Sequence, residues 1–214
     1  MKINRVTTAI IFLLITISIF LNACDTKPKI SALPAASQVL ALGDSLTAGA
    51  GVRPQQAWTS LLADKTGWVV INGGINGDTS AAALQRLPDL LEQYHPELVL
   101  VTLGGNDMLR QVPPQQTVTN LQQILSQIKS HGAQAILLAT PNPSLMGAVF
   151  QNLSAPDFYR TLAETQQIPL IEDAIADVLS EPHLKGDPLH PNAAGHQRLA
   201  DKIHSELKLM GFAD

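Results

Sequence analysis

From residue 38 onward the chain alternates short, nearly continuous apolar runs with longer stretches that are apolar on one side only. The short runs fit strands buried on both faces, and apolar spacings of three and four fit helices with one buried stripe. On this pattern strands are expected at residues 39–42, 68–71, 98–103, 135–139 and 168–171. Asn72-Gly73-Gly74 should break the second of them. Pro169 has no N–H to give a ladder, which places the fifth strand at a sheet edge. Helices are expected at 54–65, at 79–94 with an interruption at Pro88, at 117–129, near 157–166, and from an Asn192 cap to about 209. In the third of these Val118, Leu121, Ile124, Leu125 and Ile128 form the stripe, and Gly132 stops it.

Strands that alternate with helices in this way imply a parallel sheet covered on both faces. No internal repeat or second domain boundary interrupts the pattern. The expected fold is therefore one three-layer α/β/α sandwich around a five-stranded parallel sheet. Ligands of such sheets bind outside the carboxyl ends of the strands. The breaks after strands one, two and three fall at 43–46, 72–77 and 104–107, so these segments should converge.

The first residues carry a different pattern. Lys2 and Arg5 precede an uncharged apolar run at 6–21, which reads as an export signal kept out of the fold. Cys24, the only cysteine, follows it directly and has no second thiol to pair with. Leu21-Asn22-Ala23-Cys24 resembles the bacterial lipoprotein signal, with Asn22 departing from the usual pattern. The resemblance implies acylation of Cys24, and Asp25 resembles an inner-membrane retention signal. The expected organisation is a signal peptide at 1–23, a Pro- and Ala-containing tether at 24–37, and the folded domain at 38–214. Its expected location is the periplasmic side of the envelope, held to the membrane by the lipid. The net charge of −4 becomes more negative once the leader is removed, which argues against a nucleic-acid partner.

Two segments carry candidate chemistry. Ser45 stands just past the first strand in Leu42-Gly43-Asp44-Ser45-Leu46. A serine hydroxyl needs a base to take its proton, a carboxylate to orient that base, and donors for the oxyanion. In Asp187-Pro188-Leu189-His190-Pro191-Asn192 an acid and a base lie three residues apart in a Pro-stiffened loop, so they can pair without long-range assembly. His95, His131, His183, His196 and His204 have no such partner, and the last two read as packing or surface residues of the final helix. The glycines of 43–51 lack the Gly-Lys-Ser/Thr of a phosphate loop, and Gly-x-Gly-x-x-Gly and His-Glu-x-x-His are absent. Thr47 stands where the second glycine of Gly-x-Ser-x-Gly would be. No metal or cofactor is expected.

Gly43-Asp44-Ser45-Leu46, Gly77, Gly105-Asn106-Asp107 and Asp187-Pro188-Leu189-His190-Pro191 together resemble, in order, the blocks of the SGNH/GDSL hydrolase family. The resemblance spans residues 38–205 and is strongest to its periplasmic thioesterase/lysophospholipase and arylesterase branch. It implies a flavodoxin-like SGNH fold, Ser45 as nucleophile, His190 as general base and Asp187 as its acid. The implied oxyanion donors are the Ser45 and Gly77 backbone N–H groups and the Asn106 amide. Asp44 is expected to be a structural hydrogen-bonder beneath the nucleophile. Leu145, Met146, Val149 and Phe150 are candidates for an apolar acyl groove. The implied substrates are small acyl esters or thioesters, including aryl esters and lysophospholipids. A carbohydrate O-acetylesterase and a non-catalytic lipoprotein that binds glycan or lipid stay open as alternatives.

Overall fold

The computed structural model describes residues 32–143 and 153–214. Five strands, β1 (Gln38–Gly43), β2 (Val69–Gly74), β3 (Leu98–Thr102), β4 (Gln134–Leu138) and β5 (Leu170–Ile171), form one parallel sheet in the order β2-β1-β3-β4-β5. In the register Gly43, the last residue of β1, stands opposite Gly74 on one side and Thr102 on the other, so three strand ends finish level. The helices are α1 (Ser45–Ala48), α2 (Trp58–Thr66), α3 (Ser80–Tyr94), α4 (Gly105–Leu109), α5 (Pro114–Ser130), α6 (Phe158–Gln166), α7 (Ala174–Ser180) and α8 (Ala193–Leu209).

Alternate strand residues serve opposite faces. Leu40, Leu42, Val99, Val101 and Leu137 pack with the buried stripes of α3, α5 and α6, among them Leu87, Leu91, Leu121, Ile124 and Leu162. On the other face α8 lies against α2 and α7. Each fully buried aliphatic side chain contributes about 1.5–3 kcal/mol. An exposed pair such as Arg160–Glu172 is screened by water and adds little, so the apolar layers hold the sheet.

Several elements depart from the expected pattern for identifiable reasons. The stretch expected as one helix at 54–65 is two, a 3-10 turn (Pro54–Gln56) and α2, separated by an extended Ala57 (φ −65°, ψ 143°). The first N–H of α2, that of Trp58, goes to Nδ1 of His196 on α8 at 3.3 Å. Helix α3 runs unbroken through Pro88, which lies on the exposed face where water can serve the carbonyl it leaves unpaired. Helix α5 starts a turn earlier than expected, at Pro114, whose missing N–H costs nothing at a first helical position. Strand β2 continues through Asn72-Gly73-Gly74. A Cβ on Gly74 would strike the Ala48 backbone nitrogen, and one on Gly73 would meet a Leu40 methyl at 2.9 Å. Here glycine allows close packing and does not end the strand.

Strand β5 pairs with β4 alone and so forms an edge, with Pro169 just before it, as expected. Residues 32–37, assigned to the tether by composition, lie against the domain. Leu33 N–H donates to the Phe212 carbonyl at 2.9 Å, Ala36 N–H to Gly67 at 2.8 Å, and the Trp68 indole to Leu33 at 3.3 Å. The leader, Cys24 and Asp25 lie outside the described residues, as do Leu145, Met146, Val149 and Phe150. Among the described residues no helix is long and apolar enough to cross a membrane.

Candidate active site

Ser45 opens α1 directly after β1, with Asp44 as the N-cap whose Oδ1 accepts the Leu46 N–H at 3.0 Å. This single turn is held from three sides. The Trp58 indole donates to the Leu46 carbonyl at 3.1 Å, the Asn72 amide donates to the Thr47 carbonyl at 2.9 Å, and Gly74 supports the turn from below. Beneath it, Arg86 donates to the Gly43 carbonyl at 3.1 Å while its guanidinium pairs with Asp78. The Ser45 hydroxyl therefore leaves a braced corner at the carboxyl edge of the sheet.

His190 Nε2 lies 2.9 Å from Ser45 Oγ, across 145 residues of chain. Its Nδ1 lies 2.8 Å from Asp187 Oδ2 and 3.0 Å from Oδ1. Asp187 Oδ1 also accepts the Leu189 and His190 backbone N–H groups at 2.8 and 2.9 Å. Burial works to raise the Asp187 carboxyl, but the His190 hydrogen bond and these backbone donors outweigh it and hold it below the usual carboxylate range. An ionised Asp187 accepts only, so Nδ1 carries the proton and Nε2 is left to accept from Ser45. The loop is closed by its own bonds. Gly186 N–H donates to the His190 carbonyl at 2.9 Å, and the Asn192 amide donates to the His183 and Lys185 carbonyls. Asn192 also caps α8 through the Gly195 N–H, as the sequence suggested.

A cavity of about 790 Å³ opens over Ser45 and His190, and Gly77 and Asn106 also line it. Gly77 occupies the third position of the turn Ile75–Asp78 with φ +79°, a conformation that glycine adopts at no steric cost. Its carbonyl accepts from Arg110 at 2.9 Å. Asn106 follows the turn at Gly104, where φ is +115° and a Cβ would strike the Tyr159 hydroxyl. That hydroxyl, fully buried and raised in pKa by burial, donates to the Leu103 carbonyl at 2.7 Å. The three strand breaks marked in the sequence thus meet around one cavity.

A model of the GDSL-like Lipase/Acylhydrolase family matches residues 41–198, most of the chain. The chain belongs to this family. Among its relatives, an arylesterase of Vibrio mimicus is 37% identical over 183 residues, covering 83% of this chain and 91% of the relative. Thioesterase 1/protease 1/lysophospholipase L1 of Escherichia coli K12 is 39% identical, covering 81% and 85%. The crystal structure of the psychrotrophic esterase EstA from Pseudoalteromonas sp., inhibited by monoethylphosphonate, superposes with a TM-score of 0.71 at 31% identity. It covers 81% of this chain and 97% of that one.

Asp44 is the buried hydrogen-bonder beneath the nucleophile that the sequence led one to expect, while Ser80 and Asn120 had no assigned role. Asp44 is 2% exposed, and its Oδ2 accepts from the Asn106 amide at 3.1 Å. Burial pushes its carboxyl up to about 6, against the hydrogen bonds from Leu46 and Asn106. Asp107 accepts the Ser80 N–H at 2.8 Å and the Ser80 hydroxyl, which in turn accepts from Asn120. This buried network ties the Gly77 segment to the Asn106 segment. Asp107 stood in a recognised block, but no short spacing relates it to Ser80. His196, read as packing or surface, is 1% exposed and packed at the start of α2. Among the described residues no group of three or more His, Cys, Asp or Glu side chains is placed to hold a metal ion.

Proposed function

We propose that this GDSL-family ester hydrolase works through Ser45, His190 and Asp187 on acyl esters or thioesters of the arylesterase, thioesterase and lysophospholipase type. The observation that carries the reading is the unbroken line of hydrogen bonds from Asp187 through His190 to Ser45 at the mouth of the cavity. His190 Nε2 takes the hydroxyl proton as Ser45 Oγ attacks the acyl carbonyl. The Ser45 and Gly77 N–H groups and the Asn106 amide stabilise the resulting oxyanion. His190 then passes its proton to the leaving alcohol or thiol, and water repeats the sequence on the acyl-serine to release the acid. Leu46, Leu109, Pro143, Leu153, Leu179 and Leu189 give the cavity an apolar lining suited to an acyl chain.

The test is hydrolysis of p-nitrophenyl esters from acetyl to palmitoyl. Ser45→Ala and His190→Ala should each lower kcat by about 10⁶ if the three groups act as one unit. Monoethylphosphonate transfer from a reactive ester should label the wild type at Ser45 and leave Ser45→Ala unmodified. Full activity in either variant would overturn the assignment.

We also propose that Cys24 is acylated and holds the enzyme to the periplasmic face of the envelope, which rests on the Leu21–Cys24 pattern and the preceding apolar run. Cys24→Ser should move the protein from the membrane fraction to the soluble one. Unchanged membrane association would count against it.

A further inference from the structure

A primary amide presents two ends of nearly equal size, one that donates and one that accepts. As an oxyanion donor Asn106 helps only if its nitrogen faces the substrate; with the amide turned over, its oxygen would repel the developing charge. Something beside Asn106 must choose between the two orientations. The choice lies outside the substrate, because a preorganised donor has to be set before charge develops.

We propose that Asp44 is a positioning residue that fixes the Asn106 amide with its nitrogen toward the cavity. This rests on the triad reading above and extends it. Asp44 Oδ2 accepts one Asn106 Nδ2 hydrogen at 3.1 Å, leaving the second hydrogen of the same nitrogen for the oxyanion. A carboxylate has no hydrogen to offer, so it rejects the oxygen end of the amide. Asp44 is itself immobilised, because Oδ1 is spent on the Leu46 N–H at 3.0 Å in the turn that carries Ser45. Nucleophile and oxyanion donor are therefore indexed to one buried side chain. The loop is shaped for this approach. A Cβ on Gly105 would press on the Thr140 methyl at 2.9 Å, so glycine lets the chain just before Asn106 pack closely here, within ordinary contact of Asp44 Oδ2.

The substitution Asp44→Asn separates this role from a merely structural one. Its amide has a single acceptor for two donors. If that oxygen keeps the Leu46 N–H, its NH₂ faces the Asn106 NH₂ and favours the overturned orientation. The expected result is a kcat lower by about 10²–10³, the cost of one lost oxyanion donor, with little change in KM. In the Asn106→Ala background the same substitution should cost less than threefold, since the group it acts through is gone. Equal losses in both backgrounds, with Asn106→Ala itself impaired, would overturn the positioning role and leave the triad reading intact. An Asn106→Ala enzyme with unchanged kcat would instead remove the donor role on which the proposal stands. Should Asp44→Asn fail to fold, the wild type still decides the matter by NMR. The two Asn106 amide protons, assigned by their loss in Asn106→Ala, should be widely separated with one shifted downfield. Positions typical of a free amide would overturn the proposal.

Discussion

Behind the cavity, the Tyr159 phenol reaches 56 residues back along the chain to the Leu103 carbonyl and fills the space that a side chain at Gly104 would need. Tyr159→Phe keeps the ring but leaves that buried carbonyl unpaired, which costs about 1–3 kcal/mol. We expect a corresponding loss in urea-melt stability and a smaller fall in kcat, because the turn before Asn106 loosens; an unchanged melt would show that water takes over the bond. No sequence signal announced this residue. Asp187 and His190 were legible because three residues of Pro-stiffened chain dictate their meeting. Asp44 and Asn106 lie 62 residues apart, and only the sheet register brings them within 3.1 Å. Short-range chemistry can be read from spacing, whereas long-range chemistry needs the topology.

At the scale of elements, apolar runs disclosed the five strands of the described residues, most clearly β1 and β3, which are buried along nearly their whole length and leave few positions to polar residues. What glycine meant was less legible. In Asn72-Gly73-Gly74 it suggested a break, but its role is to let β2 slide beneath the turn of Ser45. Gly74→Ala should therefore act as overpacking against the Ala48 backbone, destabilising by about 1–3 kcal/mol. It should also displace α1 and lower kcat with no contact to substrate, which denaturation and esterase assays would check together. A variant with wild-type stability and rate would show that the strand end yields freely. Helices α1 and α4 escaped the sequence reading because one turn is too short for a period of 3.6 to show. Helix α7 was passed over because Ala174 and Ala176 blur its stripe, although five of its seven residues are buried.

For the molecule as a whole, two buried groups bias the response to pH in opposite directions. Asp44 is raised by burial from 3.8 to about 6, so it costs stability at neutral pH, and that cost is relieved as pH falls through about 6 toward 3.8. His196 is lowered, chiefly by burial, from 6.5 to about 4; stability is therefore lost as pH falls from 6.5 through about 4, where the unfolded chain takes the proton first. Each effect is worth about 3 kcal/mol in full, so the two nearly cancel. Denaturant titrations from pH 8 to 4 should show this as differences from the wild type. The deficit of His196→Asn should shrink toward acid, while Asp44→Asn should gain on the wild type as pH rises. Curves parallel to the wild type would exclude the group concerned.

The bond between Leu33 and Phe212 has a consequence of its own. It brings the first and last segments of the domain at 32–214 into contact, so that domain taken alone is one short linker away from being a ring. New ends could then be opened elsewhere, for instance at Gly132, where φ is +82° and no atom lies within 4 Å of a would-be Cβ. That turn precedes β4, at the amino end of the strands, opposite the end that carries Ser45. The order in which the blocks follow one another would change, and the cleft they build would not.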